Sequence, residues 1–293
     1  MNMKKREIIT NHSKKKESYF IVTKGKEKTK KGWSILNYKT IELVKDGDAA
    51  TLLLSRVNAL NAMDVQMLHE LESALKEIAS SNIRILCIAG KGRSFSAGGD
   101  IKTMLSSSDN TNYHSIMDTI KSIITTLYTM PAITVSLIHG VAAGLGFSFA
   151  LACDYVKLEK NARVAMNFIN IGLIPDGGGH FFLKKRIGEH RAKQLIWSGE
   201  IVNSEKAYKL GLVDGLYEGD SIEQIQQAKT QLRTRPTQAM IASKMIYCKQ
   251  EEQALREILE AETSKQFAMR QTEDHKEGVA AFIEKRNPQF FGR

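Results

Sequence analysis

The chain is poor in cysteine and proline and has no long apolar run. Its three cysteines, Cys87, Cys153 and Cys248, are far apart in apolar surroundings, which excludes a disulfide framework and a CxxC metal site. Only four prolines occur in 293 residues, and no Pro/Ser-rich linker is visible. No apolar run reaches the roughly 20 residues of a membrane span, and the first residues lack the apolar segment of a secretory signal. These absences predict a single-core protein of a reducing cytoplasm.

The basic charge of the chain is concentrated at its beginning. The net charge is +10, but residues 1–32 hold eleven Lys or Arg and three Glu, so the rest of the chain is nearly neutral. A Lys-rich tail can contact RNA or an anionic surface weakly through counterion release. A solvated, flexible extension over 1–34 is the favoured interpretation.

Residues 40–159 alternate between strand and helix patterns. A β-hairpin is predicted over 40–55 around Asp46-Gly47-Asp48,. A helix begins at Asp64, and the apolar runs 83–90 and 132–138 predict buried strands,. The segment 139–154 is predicted to form a glycine-containing turn followed by an apolar helix. This alternation predicts an α/β core over 35–220.

After Ser221 the pattern is helical only. Helices are predicted to begin near Ser221, Thr237, Glu252 and Glu273,. The sequence therefore predicts a helical C-terminal region over 221–293.

Three glycine-bearing segments are candidates for chemistry: residues 90–104, 139–148 and 170–188. Glycines after strands let the backbone approach a ligand, and the N–H groups at a following helix start can hold an oxyanion. None of the segments is a phosphate loop, and no HExxH motif or spaced His/Cys cluster predicts a metal. The third segment places Asp176 in a Pro-Asp-Gly-Gly-Gly turn, where a turn or N-cap role is the favoured interpretation of that segment alone.

Taken together, five ordered stretches resemble the enoyl-CoA hydratase/isomerase (crotonase) family. They are SRVNALNAMD (55–64), GRSFSAGGDIKTM (92–104), HGVAAGLGFSFALACDYVKL (139–158), IGLIPDGGGHFFLKKRIG (171–188) and EGVAAFIEKRNPQF (277–290). The resemblance implies an α/β fold of repeated ββα units in a spiral, with C-terminal helices that form a trimer or a dimer of trimers. It also implies an acyl-CoA substrate, with coenzyme A as part of the substrate and no separate cofactor.

The resemblance assigns expected roles to residues at the matching positions. Gly99 and Leu145 would hold the thioester carbonyl through their backbone N–H groups. Substrate contacts are implied for Ala97 and for Asp100, Ile101 and Lys102 in the segment that lies near the CoA adenine. Lys285 would reach a CoA phosphate from a neighbouring subunit, although a solvated lysine at a helix end is an equally good interpretation.

The departures from the family pattern bear on the reaction. Ser148 and Phe168 occupy the two positions where hydratases of the family carry glutamates, and water addition needs both an acid and a base. Asp176 occupies a third position, where several isomerases, a dehalogenase and hydroxyacyl-CoA hydrolases carry a catalytic carboxylate. One carboxylate suffices to move a double bond, so isomerisation with Asp176 as base is the favoured function. An apolar pocket containing Phe168 should also raise the pKa of Asp176.

Other activities stay open. A hydratase would need a carboxylate from the 105–120 segment, Asp109 or Asp118. Thioester hydrolysis is conceivable, although the hydrolase branch adds a glutamate that Asn167-Phe168 does not provide. A catalytically silent acyl-CoA- or RNA-binding protein is the remaining alternative. Ser148 is predicted to line the pocket, whereas Asn167, His139 and His180 are predicted to act mainly as structural hydrogen-bonding residues.

Overall fold

The computed structural model describes residues 35–36, 38–100 and 110–293. The predicted basic tail lies outside the described residues. So do Ile101, Lys102 and Asp109, for which substrate contacts or catalysis were considered.

Ten strands occur in the described part of the chain. They are β1 (Ile35–Leu36), β2 (Ile41–Asp46), β3 (Ala49–Leu54), β4 (Ile85–Gly90), β5 (Ile133–Ile138), β6 (Val141–Ala143), β7 (Tyr155–Glu159), β8 (Arg163–Ala165), β9 (Ile201–Asn203) and β10 (Gly215–Tyr217). Seven of them form one sheet in the order β1-β2-β3-β4-β5-β7-β10. The predicted hairpin is confirmed as the antiparallel pair β2–β3, and β3, β4, β5, β7 and β10 run parallel.

Eight α-helices occur in the same described ranges. They are α1 (Val65–Ala79), α2 (Asn110–Thr129), α3 (Leu145–Leu151), α4 (Gly179–Ser198), α5 (Ser204–Leu210), α6 (Ser221–Arg233), α7 (Thr237–Met269) and α8 (Glu273–Glu284). The prediction of separate helices starting near Thr237 and Glu252 is wrong, because α7 is one continuous helix of 33 residues. No Pro or Gly occurs within it to end it,. None of the described helices is long and apolar enough to cross a membrane.

Helices cover both faces of the large sheet. Helix α1 begins at Asp64, whose side chain accepts a 2.8 Å hydrogen bond from the Met67 N–H, as an N-cap residue does. Leu71 and Leu75 of α1 are fully buried in the main core. On the opposite face, a smaller cluster joins β3, β4 and β5 to α6. The mixed α/β architecture expected from the alternating pattern is confirmed.

A second, three-stranded sheet in the order β6-β8-β9 was not predicted. Strand β6 lies in the segment interpreted as a turn, and its three residues are too few to show a strand period,. It carries the chain directly into α3. This small sheet therefore fixes the position of Gly144 and Leu145 beside the large sheet.

Candidate active site

A cavity of about 610 Å³ lies where the three glycine-bearing segments meet. Its walls come from the loop after β4, the start of α3, the turn before α4, and helices α1, α2, α7 and α8. Six of the predicted site residues line it: Ala97, Gly99, Asp100, Leu145, Phe168 and Asp176. The structure therefore brings residues of all three segments together at one cavity.

Backbone pairing holds the first two loops against each other. The Ser96 N–H donates to Val141 O at 3.0 Å, and the Ala143 N–H donates to Ser96 O at 3.0 Å. Gly98, two residues after Ser96, lines the cavity and has a φ of +100°. A Cβ added there would lie 2.8 Å from the Ala143 carbonyl oxygen and 3.6 Å from the Leu145 nitrogen. Only glycine permits both this conformation and this approach.

The Gly99 N–H is directed away from the backbone that holds its neighbours. The Met63 N–H donates to Gly98 O at 2.8 Å, and the Asp100 N–H donates to Met63 O at 3.0 Å. Since both flanking residues bond to Met63 in a parallel bridge, the Gly99 N–H points to the other side. It has no acceptor among the residues that the structure describes. Gly99 thus presents an available donor at the cavity wall.

Leu145 supplies a second backbone donor. It is the first residue of α3, and the first N–H groups of a helix have no partner within the helix. Gly144, its N-cap residue, uses its own N–H in a 2.9 Å bond to Ala165 O. Two N–H groups from different loops therefore border one cavity, which is the arrangement an oxyanion hole requires.

Asp176 is the buried carboxylate of the cavity. Its exposed fraction is 4%, and the successive positive φ angles of Gly177 (62°) and Gly178 (77°) form the turn that directs it inward,. Its Oδ2 accepts a 3.1 Å hydrogen bond from the Gln266 side chain. Its Oδ1 has no hydrogen-bond partner among the described residues.

The pKa of Asp176 is raised to about 7, chiefly because burial disfavours the charged form,. The hydrogen bond from Gln266 acts in the opposite direction, whereas the nearby negative charge of Glu262 raises the pKa further. The direction agrees with the effect expected of an apolar pocket. At neutral pH, a carboxyl with this pKa is available both as a base and, once protonated, as an acid.

Two polar residues of α7 that were not among the predicted site residues hydrogen-bond to the Asp176 turn. Glu262 accepts hydrogen bonds from the N–H groups of Gly178 and His180, at 2.8 and 3.1 Å, and His180 Nδ1 lies 2.8 Å from Glu262 Oε1. Gln266 lies one turn farther along α7. A signal was present: Leu255, Leu259, Glu262 and Gln266 follow the three- and four-residue spacing of a buried helix face,. Two polar residues on such a face indicate specific partners.

Phe168 and Ser148 occupy different environments. The Phe168 ring borders the cavity beside Gly144, where an added Cβ would lie 3.5 Å from the ring. Ser148 is fully buried and is not part of the cavity lining. Its Oγ contacts Met166 Sδ at 3.7 Å, because α3 turns this side chain behind the cavity wall. The expectation that Ser148 lines the pocket is corrected accordingly.

The remaining predicted residues lie at the edge of the site or beyond it. Asp100 pairs with Arg56 at 3.0 Å, so its carboxylate is already engaged. Lys285 is exposed at the end of α8 and does not line the cavity; its contact with a neighbouring subunit stays a prediction. Asn167 lines the cavity, and His139 Nε2 lies 3.0 Å from Gly92 O in the connection after β5.

The rest of the lining is largely apolar. Side chains from α1, α2 and α8 form the wall opposite the glycine loops, and they include Leu68, Ile116, Met117, Ile120, Val279 and Phe282. No cluster of three or more His, Cys, Asp or Glu with metal-binding geometry occurs among the described residues. The arrangement combines an apolar wall, two backbone donors and one buried carboxylate of raised pKa.

Comparison with known proteins agrees with this geometry. The family model for enoyl-CoA hydratase/isomerase matches residues 46–293. A Bacillus subtilis protein named as an enoyl-CoA hydratase/isomerase, YhaR, is 46% identical over 85% of this chain and 98% of its own length. The trans-2-decenoyl-[acyl-carrier-protein] isomerase of Streptococcus mutans is 31% identical over 88% of this chain and all of its own.

Solved structures give the same result. The crystal structure of an enoyl-CoA hydratase from Mycobacterium avium subsp. paratuberculosis superposes with a TM-score of 0.78 at 26% identity, covering 87% of this chain and all of that one. The fold expected from the motifs, the crotonase fold, is confirmed. The chain belongs to the enoyl-CoA hydratase/isomerase family.

Proposed function

We propose that the protein is an enoyl-CoA double-bond isomerase with Asp176 as its acid–base residue. The observation that carries the proposal is the difference among the carboxylates of the cavity. Among the described lining residues these are Asp64, Asp100 and Asp176. Arg56 pairs with the first two, at 3.1 and 3.0 Å. Asp176 alone combines burial, an unpartnered oxygen and a pKa raised to about 7.

The reaction follows from this arrangement. Asp176 removes a proton from the α carbon of a 3-enoyl thioester, and the electrons of the broken C–H bond form a dienolate. The negative charge develops on the thioester oxygen, which the Gly99 and Leu145 N–H groups stabilise. Protonated Asp176 then returns the proton to the γ carbon, which moves the double bond to the 2 position. One carboxyl group therefore serves first as base and then as acid.

Hydration finds less support because it needs a second acid–base group. Phe168 and Ser148 supply none at the two family positions. Asp118, considered as a substitute, is exposed and pairs with Lys121 at 2.9 Å. Glu262 is buried, but it is occupied by the turn before α4 and does not line the cavity.

Incubation with 2-enoyl- and 3-enoyl-CoA, followed by mass identification of the products, tests the proposal. The expected result is interconversion of the two substrates with no change in mass. Asp176→Asn should lose this interconversion, whereas Asp118→Asn, the same substitution at an exposed carboxylate, is the matched control and should retain full activity. Gain of one water would instead identify a hydratase, and release of free CoA would identify a hydrolase. Absence of any product would support the silent-binding alternative.

A further inference from the structure

Helix α7 contacts the Asp176 turn through two buried polar side chains that belong to no motif of the sequence. Glu262 and Gln266 are 2% and 0% exposed. Both Glu262 oxygens and Gln266 Nε2 hydrogen-bond to residues 174–180, whereas Gln266 Oε1 has no partner among the described residues. Burial of polar groups is unfavourable unless they are hydrogen-bonded, so their presence on an apolar helix face calls for a role in this turn.

The Gln266 amide has only one orientation compatible with its neighbours. Its Nε2 donates to Ile174 O at 3.0 Å and to Asp176 Oδ2 at 3.1 Å. A backbone carbonyl only accepts hydrogen bonds, so Ile174 keeps the NH₂ end of the amide directed at Asp176. Asp176 Oδ2 therefore always faces a donor. The proton that Asp176 gains must then be carried on Oδ1, the oxygen without a partner.

Glu262 acts on the backbone of the same turn. Its two carboxylate oxygens accept from the Gly178 and His180 N–H groups, at 2.8 and 3.1 Å. These donors lie within four residues of Asp176, so they fix the turn from which its side chain projects. Glu262 also places a negative charge near Asp176 that favours the protonated form,.

We propose that Glu262 and Gln266 are positioning residues for Asp176: Gln266 reserves Oδ1 for proton exchange with substrate, and Glu262 fixes the turn that carries it. The reaction itself rests on the proposed function, but the positioning of the carboxylate does not. The two residues have opposite electrostatic effects on Asp176, because Gln266 stabilises the charged form and Glu262 opposes it. A loss of packing alone would not produce opposite effects.

Other ionisable groups near Asp176 must be kept constant in any test. The groups that face it or share its cavity are Asp64, Asp100, Tyr113, His180, Arg270, His275 and Arg286. Substitutions at positions 262 and 266 replace none of these side chains, and His180 is the one of them that hydrogen-bonds to Glu262. Gln253 and Glu257, exposed on the same helix, provide matched controls.

The test is a titration of Asp176 in protein carrying carbon-13 at the aspartate carboxyl carbons. The Asp176 signal is the one lost in Asp176→Asn. Gln266→Met should raise its pKa by about one to two units, since a hydrogen bond to the charged form is lost. Glu262→Gln should lower it by about one unit, since a nearby negative charge is lost. Gln253→Met and Glu257→Gln should leave it at the wild-type value.

A kinetic measurement complements the titration. If the enzyme isomerises enoyl-CoA, Gln266→Met should lower kcat with little change in KM, and the acid limb of its kcat/KM profile should move with the Asp176 pKa. Opposite pKa shifts without any isomerisation would support the positioning role and refute the proposed reaction. Unchanged pKa values, or shifts of the same sign in both variants, would overturn the positioning role. If Glu262→Gln fails to fold, an unchanged Asp176 pKa and an unchanged kcat in Gln266→Met would by themselves overturn the positioning role.

Discussion

Replacing Asp176 by asparagine is expected to stabilise the folded protein above neutral pH. The pKa of Asp176 lies near 7 in the folded state, against 3.8 for the group in its ordinary environment. The folded state therefore binds this proton more tightly than the unfolded state does. The contribution of Asp176 to the free energy of unfolding is complete below the pKa of the unfolded state and is lost as the pH rises through the pKa of the folded state. The carboxylate charge must then be carried in a buried site.

The magnitude follows from the size of this shift. One pKa unit corresponds to 1.36 kcal/mol, so a shift of about three units is worth about 4 kcal/mol when fully developed. About 3 kcal/mol of this change falls between pH 5 and pH 8. Asparagine carries no charge at any pH, so Asp176→Asn should not show this loss. If the introduced asparagine hydrogen-bonds less well to Gln266, this lowers the free energy of unfolding of Asp176→Asn by the same amount at every pH.

The assay is urea unfolding of both proteins at fixed concentration between pH 5 and pH 8.5. The free energy of unfolding of Asp176→Asn, relative to that of the wild type, should rise by about 3 kcal/mol across this range. Asp118→Asn, at an exposed carboxylate, should follow the wild type. A difference between Asp176→Asn and wild type that is constant with pH would refute the account of Asp176 as a buried carboxyl with a raised pKa.

Three further predictions concern the loops and the assembly. Gly98→Ala should reduce turnover by at least about 10²-fold. Its Cβ would lie 2.8 Å from the Ala143 carbonyl oxygen and would displace the Gly99 and Leu145 N–H groups, since one such donor typically contributes about 10²-fold to the rate. A near-normal kcat would contradict this. Gly99→Pro should abolish activity by removing an N–H, whereas Leu145→Ala should be mild; equal effects would exclude backbone donors. Ile246 and Tyr247 on α7 are more than 60% exposed, so sedimentation should show a trimer or a dimer of trimers, and a monomer at micromolar concentration would contradict it.

Local patterns sufficed for much of the fold. Short stretches of sequence were enough to recognise several elements. They are the Asp-Gly turn of the β2–β3 hairpin, the Asp64 N-cap and the apolar runs of β4 and β5. Each of these features is defined by residues that are neighbours in the sequence, so it can be recognised without the tertiary structure. Strand β6 could not be found in this way because its partners, β8 and residue Ser96, are supplied by tertiary structure.

The same distinction between local and long-range features applies to the residues of the site. The glycine loops and Asp176 are visible because their sequence requirements are local and strict. Glu262 and Gln266 lie 84 and 90 residues from their partners Gly178 and Asp176, so only the packing of α7 against the turn reveals them. Ser148 was misplaced for a related reason: its position along α3 was known, but the direction of that helix relative to the cavity was not.

The central claim is that Asp176 performs both proton transfers. It is tested most directly by measuring the isomerisation of 3-enoyl-CoA by Asp176→Asn, with binding of the CoA ester measured in parallel. We predict that turnover falls by about 10²–10⁴-fold, the usual contribution of a positioned acid–base group, while binding is nearly unchanged. Retention of most of the turnover by Asp176→Asn would contradict the mechanism and leave Asp176 as a turn residue.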